Sequence, residues 1–276
     1  MVGGYDEIMQ PLVVDDRFDY ILFSNDIKED RVGVWQVKSI AYTNPDNTRI
    51  CRYVKTHPEE LLLGYEASVW MDSNIRIVTS SVYEHIIELY ESGSLIASMN
   101  HPERDCVYDE AFEVMYLRFE QERVAVNWCC KIRIEKYPKH NGLYETNVMF
   151  RVHTNEKIQA FDAMWWDCIE KFSKRDQLSF NYVLWKVDLE CDYFLDKSLN
   201  ARNSEDFSIV THKNEGKKVY SYNKNEWLLK YAYKTPNEKD VVRKRYEWCY
   251  NRIYPYLWIS IFGQYYRLKE IYRRYK

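Results

Sequence analysis

A carboxylate and an amide stand two residues apart at the end of an apolar run. Asp72 and Asn74 follow Val69-Trp70-Met71, a run that predicts a buried strand. In open α/β sheets, ligands bind beyond the carboxyl ends of the strands, and hard divalent cations are held by oxygen ligands together with substrate phosphates. The Asp-x-Asn pair therefore predicts a Mg²⁺ or Mn²⁺ site facing a pyrophosphate. A turn-forming or helix-capping role is the more common use of such an aspartate, and it stays open.

A second polar segment follows another predicted strand and runs from His101 to Glu110. Arg104 offers a fork for phosphate or carboxylate groups, while Asp105 and Glu110 can accept hydrogen bonds from hydroxyl groups. Capping of the next helix is an equally weighted alternative, because acidic side chains favour a helix N-terminus.

Alternating strands and helices must position these side chains. Periodicity predicts strands at 19–24, 67–72, 94–99 and 143–152, and helices at 49–64, 81–92, 109–124, 161–172 and 176–185. Such alternation predicts an α/β fold with a mixed, mostly parallel sheet that is covered by helices on both faces.

The end of the chain has a different character. Thr235-Pro236-Asn237-Glu238 has the pattern of a capping box with proline at the first helical position, which predicts a helix up to about Tyr254. Residues 241–276 carry nine Lys or Arg and two Glu, interleaved with aromatic residues. A basic amphipathic helix of this kind can dock on an anionic membrane surface. The alternative is a helix that packs its aromatic face on the protein.

Bulk properties exclude several classes of protein. The net charge of −3 gives no reason to expect a nucleic-acid partner. The seven cysteines include no C-x-x-C pair, which argues for reduced thiols in a cytoplasmic protein and against a zinc site or a disulfide framework. No signal peptide is evident at the start, and the longest apolar run, 254–262, is short of the roughly 20 residues that span a bilayer.

Four ordered motifs resemble one family, the glycosyltransferase-like domains of plant mucilage-related proteins and bacterial polysaccharide gene clusters. They are Arg52 to Pro58, Ser68 to Ile75, His101 to Ala111 and Arg175 to Phe180. The resemblance covers about residues 3–186 and extends loosely to His212. It implies a GT-A-like domain over residues 1–212, with 213–276 as a basic, aromatic helical extension. Family members carry a further strand before the opening Gly-Gly-Tyr-Asp segment, so we expect the first strand of the fold to be missing here.

The resemblance also implies a metal-assisted nucleotide-sugar site. Asp72 matches the family's version of the Asp-x-Asp motif, with Asn74 in place of the second acid, and His212 stands where such enzymes often place a late metal-binding histidine. The alternative role for His212 is that of a solvated loop histidine. Mn²⁺ or Mg²⁺ is the expected cofactor.

Other matched residues are expected to contact the substrates. Basic side chains offset the charge that builds on a leaving diphosphate, and carboxylates can accept a proton from the acceptor hydroxyl. Asp176 and Gln177 are the predicted catalytic pair, with helix capping as the alternative for Asp176. The predicted substrate-binding residues are Tyr5, Arg52, Lys55, His101, Arg104, Asp105, Glu110 and Arg175.

These observations predict a metal-dependent glycosyltransferase that moves a sugar from a nucleotide-sugar donor to a glycan or lipid-linked acceptor in surface polysaccharide synthesis. The predicted location is the cytoplasm, with peripheral contact at the inner face of the membrane through the C-terminal helix. The alternative is a catalytically inactive domain that binds a nucleotide or a sugar. It is favoured by the uncharged Asn74 and by the expected absence of the first strand.

Overall fold

The computed structural model describes residues 1–4, 6–210 and 238–253. The chain divides into two compact units, Met1–Asp105 with Gly142–Lys217, and Cys106–Asn141 with Lys218–Lys276. The predictions that concern Tyr5, His212 and the segment beyond residue 253 lie outside the described residues. The expected boundary between residues 212 and 213 stays a prediction.

The first unit contains nine short strands and five helices among its described residues. The strands are β1 Ile21–Phe23, β2 Arg31–Val32, β3 Trp35–Lys38, β4 Ser68–Met71, β5 Ile75–Ile77, β6 Ile96–Asn100, β7 Tyr144–Arg151, β8 Asp192–Tyr193 and β9 Phe207–Ile209. The helices are α1 Asn47–Thr56, α2 Pro58–Leu61, α3 Ser81–Glu91, α6 Glu156–Lys171 and α7 Gln177–Val187. The second unit contains α4 Val107–Tyr116, α5 Glu122–Ile134 and α8 Glu238–Trp248, and α8 continues into a π-helical turn, Cys249–Ile253.

The strands form three sheets, ordered β1-β3-β2, β4-β7-β6-β8 and β5-β9. The mixed α/β class is therefore confirmed, but the prediction of a mostly parallel sheet is wrong. Four of the six pairings between described strands are antiparallel, and only β1–β3 and β6–β8 are parallel. The physical reason is visible at His101, whose N–H donates to Leu143 O at 2.9 Å. The chain returns beside the end where β6 left the sheet, so β7 must run back along β6.

A bulge interrupts the ladder between β6 and β7. Ser98 pairs with Met149, but Met99 pairs with Glu145, so residues 146–148 lie outside the regular register. The Ser98 hydroxyl donates to the carbonyl oxygens of Glu145 at 2.7 Å and Val148 at 3.0 Å, which closes the bulge. A bulge changes the direction of the side chains that follow it.

Two hydrophobic clusters stabilise the first unit. The larger one joins β5, β6, β7 and α3 through buried side chains that include Ile77, Val82, Ala97 and Phe150. The smaller one gathers Ile40 with Ile50 and Val54 of α1. The apolar face of α1 is therefore anchored, and the helix holds its polar side chains in place.

Two predicted helices are each divided in the structure. The predicted helix 49–64 is divided at His57, where Pro58 begins α2, because proline cannot donate the amide hydrogen bond that would continue α1. The predicted helix 109–124 becomes α4 and α5, and Arg118 between them has a left-handed φ of 63°. Arg52 and Lys55 stay on α1, and Glu110 stays on α4.

The helices of the second unit pack through aromatic side chains. Tyr108 stacks on Tyr250 with ring centroids 5.7 Å apart, and Phe112 packs on Tyr246 at 5.4 Å. Cys129 is fully buried, with its Sγ 2.9 Å from the Tyr246 hydroxyl. Across the described part of the chain, no helix combines the length and the apolar character that crossing a bilayer requires.

Candidate functional site

Helix α1 carries two predicted substrate-binding residues, Arg52 and Lys55. The helix begins at Asp46, whose Oδ1 accepts the Thr48 N–H at 3.0 Å and so caps the first turn. Lys55 is completely buried, although lysine is almost never buried without a partner. Its surroundings therefore show what holds the charge.

The carboxylate of Asp176 is the main partner of Lys55. Lys55 Nζ lies 2.6 Å from Asp176 Oδ2, and it also donates to the carbonyl oxygen of Thr146. Thr146 Oγ1 donates to the same Oδ2 at 2.9 Å, and Arg52 Nε lies 3.1 Å from Asp176 Oδ1. The Asp176 carboxylate thus pairs with two cations and accepts a hydrogen bond from a hydroxyl group.

The environment of Asp176 fixes it as an anion. Burial alone would raise its pKa, but the nearby charges of Arg52 and Lys55 outweigh burial and hold the pKa of Asp176 well below its ordinary value. A carboxylate with a lowered pKa is a weak proton acceptor. The geometry therefore suits a counter-ion that fixes Arg52 and Lys55 better than a general base.

Asp72 lies where the sequence predicts it, directly after β4 in the turn that leads to β5. Its Oδ1 accepts the Trp70 Nε1–H at 2.8 Å and lies 3.8 Å from Lys55 Nζ. The Asp72 side chain keeps 32% of its surface exposed, whereas that of Asp176 keeps only 4%. Asp72 is thus the carboxylate of this cluster that a ligand from solvent can reach.

The turn after β4 is tied to the N-terminal segment. The Ser73 hydroxyl donates to Asp6 Oδ2, and the Asp6 side chain is buried. At the other end of the turn, the Asn74 carbonyl oxygen accepts the Val210 N–H at 2.8 Å, next to β9. These contacts hold Asp72, Ser73 and Asn74 in one turn.

The donor atoms of this turn fit a hard divalent cation. A Mg²⁺ or Mn²⁺ ion commonly uses one or two carboxylates and completes its shell with water and substrate phosphate. Asp72 offers a carboxylate and Asn74 offers an amide oxygen. The Lys55 ammonium would oppose a nearby cation, but Asp176 balances most of that charge at 2.6 Å.

A second buried ion pair, Arg151 with Asp162, contacts the backbone of Lys55. Arg151 of β7 donates through Nη1 to Asp162 Oδ1 of α6, and through Nη2 to the carbonyl oxygen of Lys55. Thr146 and Arg151 are five residues apart, a spacing that would place them on opposite faces of a regular strand. The bulge at 146–148 resets the alternation, so both side chains reach the layer formed by α1, α6 and α7.

The residues after β6 form another group. His101 is buried, and its Nδ1 accepts the N–H groups of Glu103 at 3.2 Å and Arg104 at 3.0 Å. Burial, and then the Arg104 charge, lowers the pKa of His101 to about 4, so the ring is neutral near pH 7. Arg104 pairs with Glu103 at 2.9 Å, and Asp105 is exposed. His101 thus acts as an acceptor that shapes the turn.

The remaining predicted residues lie as follows. Gln177 is the first residue of α7, and Asp176 precedes it without capping the helix through its side chain. Arg175 is half-buried, and its charge helps lower the pKa of Asp176. Glu110 lies buried on α4 of the second unit.

Sequence reasoning missed Asp6, Thr146 and Arg151 as parts of this arrangement. Asp6 stands in the Gly-Gly-Tyr-Asp segment, which gave a signal for the family but not for a contact with Ser73. Thr146 and Arg151 lie within an apolar strand, where a threonine and an arginine carry no local signal. The partners of Thr146 and Arg151 become visible only once α1, α6 and α7 are packed against the strand.

Comparison with known proteins adds the family. No curated protein and no solved structure matches the chain significantly. The family model described as "TOD1/MUCI70, glycosyltransferase-like domain" matches residues 7–213, a range that includes the Asp72 turn, Lys55 and Asp176. This match supports a glycosyltransferase-type function at a coarse level. Since it covers most of the chain, the chain belongs to the TOD1/MUCI70 family of glycosyltransferase-like domains.

Proposed function

We propose that the chain is a metal-dependent glycosyltransferase of the GT-A type, which transfers a sugar from a nucleotide-sugar donor to a glycan or lipid-linked acceptor. The observation that carries the proposal is the fixed pair of cations, Arg52 and Lys55, beside the accessible carboxylate of Asp72. A nucleotide-sugar brings a diphosphate, and this arrangement supplies positive charge and a metal-binding carboxylate at one place.

Each residue has a role in this proposal. Asp72 and Asn74 would hold Mn²⁺ or Mg²⁺, which when bound supplies charge neutralisation to the diphosphate leaving group. Lys55 and Arg52 add positive charge that is already oriented by Asp176, so little reorganisation is needed when the leaving group gains charge. Thr146 holds Asp176 in place through its hydroxyl.

A thermal-shift screen of UDP, GDP and CMP, each with and without Mn²⁺, tests the proposal. A ligand that binds only the folded state stabilises it by about 2.7 kcal/mol at a concentration of 100 Kd. We expect one nucleotide to raise the melting temperature, and the increase to depend on Mn²⁺. Asp72→Asn should remove the Mn²⁺-dependent part.

Asp167→Asn is the matched control, because Asp167 forms an exposed ion pair with Lys171 on α6. This variant should keep the full Mn²⁺-dependent increase in melting temperature. An unchanged Mn²⁺-dependent shift in Asp72→Asn would overturn the assignment of the metal site. Turnover of the corresponding nucleotide-sugar then tests transfer itself.

A second candidate function is a catalytically inactive domain that binds a nucleotide or a sugar. The observation that favours it is the Lys55 ammonium 3.8 Å from Asp72 Oδ1, which can take the place of a metal in balancing that carboxylate. In that case a nucleotide would bind equally well with and without Mn²⁺, and no nucleotide-sugar would be consumed.

A further inference from the structure

Three different metal-ligating side chains meet in the second unit. Cys106, Asp109 and His140 each bring a ligand atom to within 4.8 Å of the other two. They comprise a thiol, a carboxylate and an imidazole. This cluster shares no residue with the Asp72 turn.

The local structure explains why these residues meet. Cys106 is the N-cap residue of α4, and Asp109 lies three residues later, on the same side of the first helical turn. His140 lies after α5, in the segment that begins at Tyr137. The Tyr108 hydroxyl donates to the Tyr137 carbonyl oxygen at 2.9 Å, which ties that segment to the start of α4.

An ion pair with Arg243 orients the Asp109 carboxylate. Arg243 Nη1 of α8 lies 2.6 Å from Asp109 Oδ1, and the Arg243 guanidinium lies 4.5 Å from the centre of the Phe112 ring. A carboxylate can accept a hydrogen bond through one oxygen and bind a metal through the other. Hydrogen bonds of this kind from outside the ligand set orient the ligands of metal sites.

We propose that Cys106, Asp109 and His140 bind one transition-metal ion of the Zn²⁺ class, with the fourth position open to water or an external ligand. Bond lengths of about 2.0–2.3 Å place tetrahedral ligand atoms about 3.3–3.8 Å apart, so a small closure of the cluster is sufficient. Thiolate and imidazole favour Zn²⁺ or Co²⁺ over Mg²⁺. The ion expected here therefore differs from the one proposed at Asp72. The site also departs from the sequence expectation of no zinc site, because that expectation rested on C-x-x-C spacing, whereas these three ligands are brought together by the fold.

The test uses the full chain after removal of metal with a chelator. Co²⁺ replaces Zn²⁺ in such sites and reports a thiolate ligand through its charge-transfer absorption. We expect one equivalent of Co²⁺ to produce this absorption, and Zn²⁺ to abolish it by displacement. Cys106→Ser should lose the band, while the matched variant Cys191→Ser, at a half-buried free cysteine, should keep it.

His140→Asn should preserve the fold, since His140 is exposed and its left-handed φ of 53° is one that asparagine tolerates. It should weaken Co²⁺ binding at least about tenfold, because even residues outside the ligand set contribute that much to metal affinity. Asp72→Asn should leave the cobalt spectrum unchanged, which separates this site from the proposed nucleotide site.

Two results would overturn the proposal. One is a metal-free chain that gains no thiolate–cobalt absorption. The other is an absorption that survives unchanged in both Cys106→Ser and His140→Asn.

Discussion

At the scale of single residues, the charges around Asp176 determine how the site responds to substitution. Asp176 is the partner of Lys55, which is fully buried, and of Arg52, whose side chain is 13% exposed. Removing one member of a buried ion pair leaves an uncompensated charge, which is costlier than the pair itself is stabilising. The same residues that orient the cations therefore also affect the stability of the unit.

Asp176→Asn should lower the free energy of unfolding by about 3–5 kcal/mol, because both cations lose their counter-charge. Urea denaturation measures the change. The double variant Lys55→Met with Asp176→Asn should recover part of the loss, since one of the two unbalanced cations is then gone. Asp167→Asn on the surface should cost at most about 1 kcal/mol. Equal costs for Asp176→Asn and Asp167→Asn would contradict the buried network.

At the scale of elements, α1 determines where Arg52 and Lys55 lie, and its start depends on Asp46. The Asp46 carboxylate caps the helix through Thr48 and also lies 2.8 Å from Lys174 Nζ. Asp46→Ala should destabilise the protein by about 1–2 kcal/mol, whereas Asp46→Asn should cost less because asparagine also caps helices well. Thermal or urea unfolding of the two variants measures the difference. An asparagine variant as unstable as the alanine variant would show that the Lys174 pair, rather than the cap, matters.

The buried pair of Arg151 on β7 and Asp162 on α6 makes the free energy of unfolding depend on pH. Burial raises the pKa of Asp162 to about 7, and Arg151 only partly opposes that shift. The unfolded carboxyl ionises near pH 3.9. Between these values the folded state therefore holds more protons than the unfolded state, so this group's contribution to stability falls as the pH rises.

The contribution of Asp162 should fall by about 2 kcal/mol between about pH 5 and about pH 7.5. Urea unfolding at the two pH values measures it as the difference between the native chain and Asp162→Asn, which lacks the titrating group. Asp167→Asn should show the same pH dependence as the native chain. If Asp162→Asn also shows it, the dependence arises elsewhere.

Local pattern predicted the parts of the site that lie on one element. Asp72 ends β4 because an apolar strand precedes a turn, and Asp176 precedes α7 as a helix-start pattern indicates. The contact between Lys55 and Asp176 was not predictable in this way, because the two residues are 121 positions apart. It depends on the packing of α1, α6 and α7, and periodicity does not report that packing. The direction of β7 was missed for the same reason, since alternation of helices and strands does not reveal on which side the chain returns.

At the scale of the whole molecule, all seven cysteines are free, and five of them are buried. Burial raises the pKa of Cys130 to about 12 and that of Cys249 to about 11. The thiolate is the reactive form of cysteine, so buried thiols of this kind react slowly.

Labelling of the native chain with Ellman's reagent should therefore modify the half-buried Cys51 quickly and the five buried cysteines only slowly. Cys191 should also react slowly, because burial raises the pKa of its thiol well above the ordinary value. Unfolding in urea should expose all seven, with or without prior reduction, because no disulfide is expected to break. Mass spectrometry of the labelled peptides identifies the sites. Two or more fast-reacting thiols in the native chain would contradict this assignment.

The bulge in β7 has a consequence for how this chain can vary. The spacing that brings Thr146 to Asp176 and Arg151 to Lys55 depends on the number of residues between them, since the bulge sets the alternation of the strand. Substitutions at 146–148 change side chains but preserve that number. A single-residue insertion or deletion there would turn one of the two side chains away from the helices. Gene variants of this chain should thus tolerate replacement of Asn147, the half-buried residue of the bulge, far more readily than a change in length.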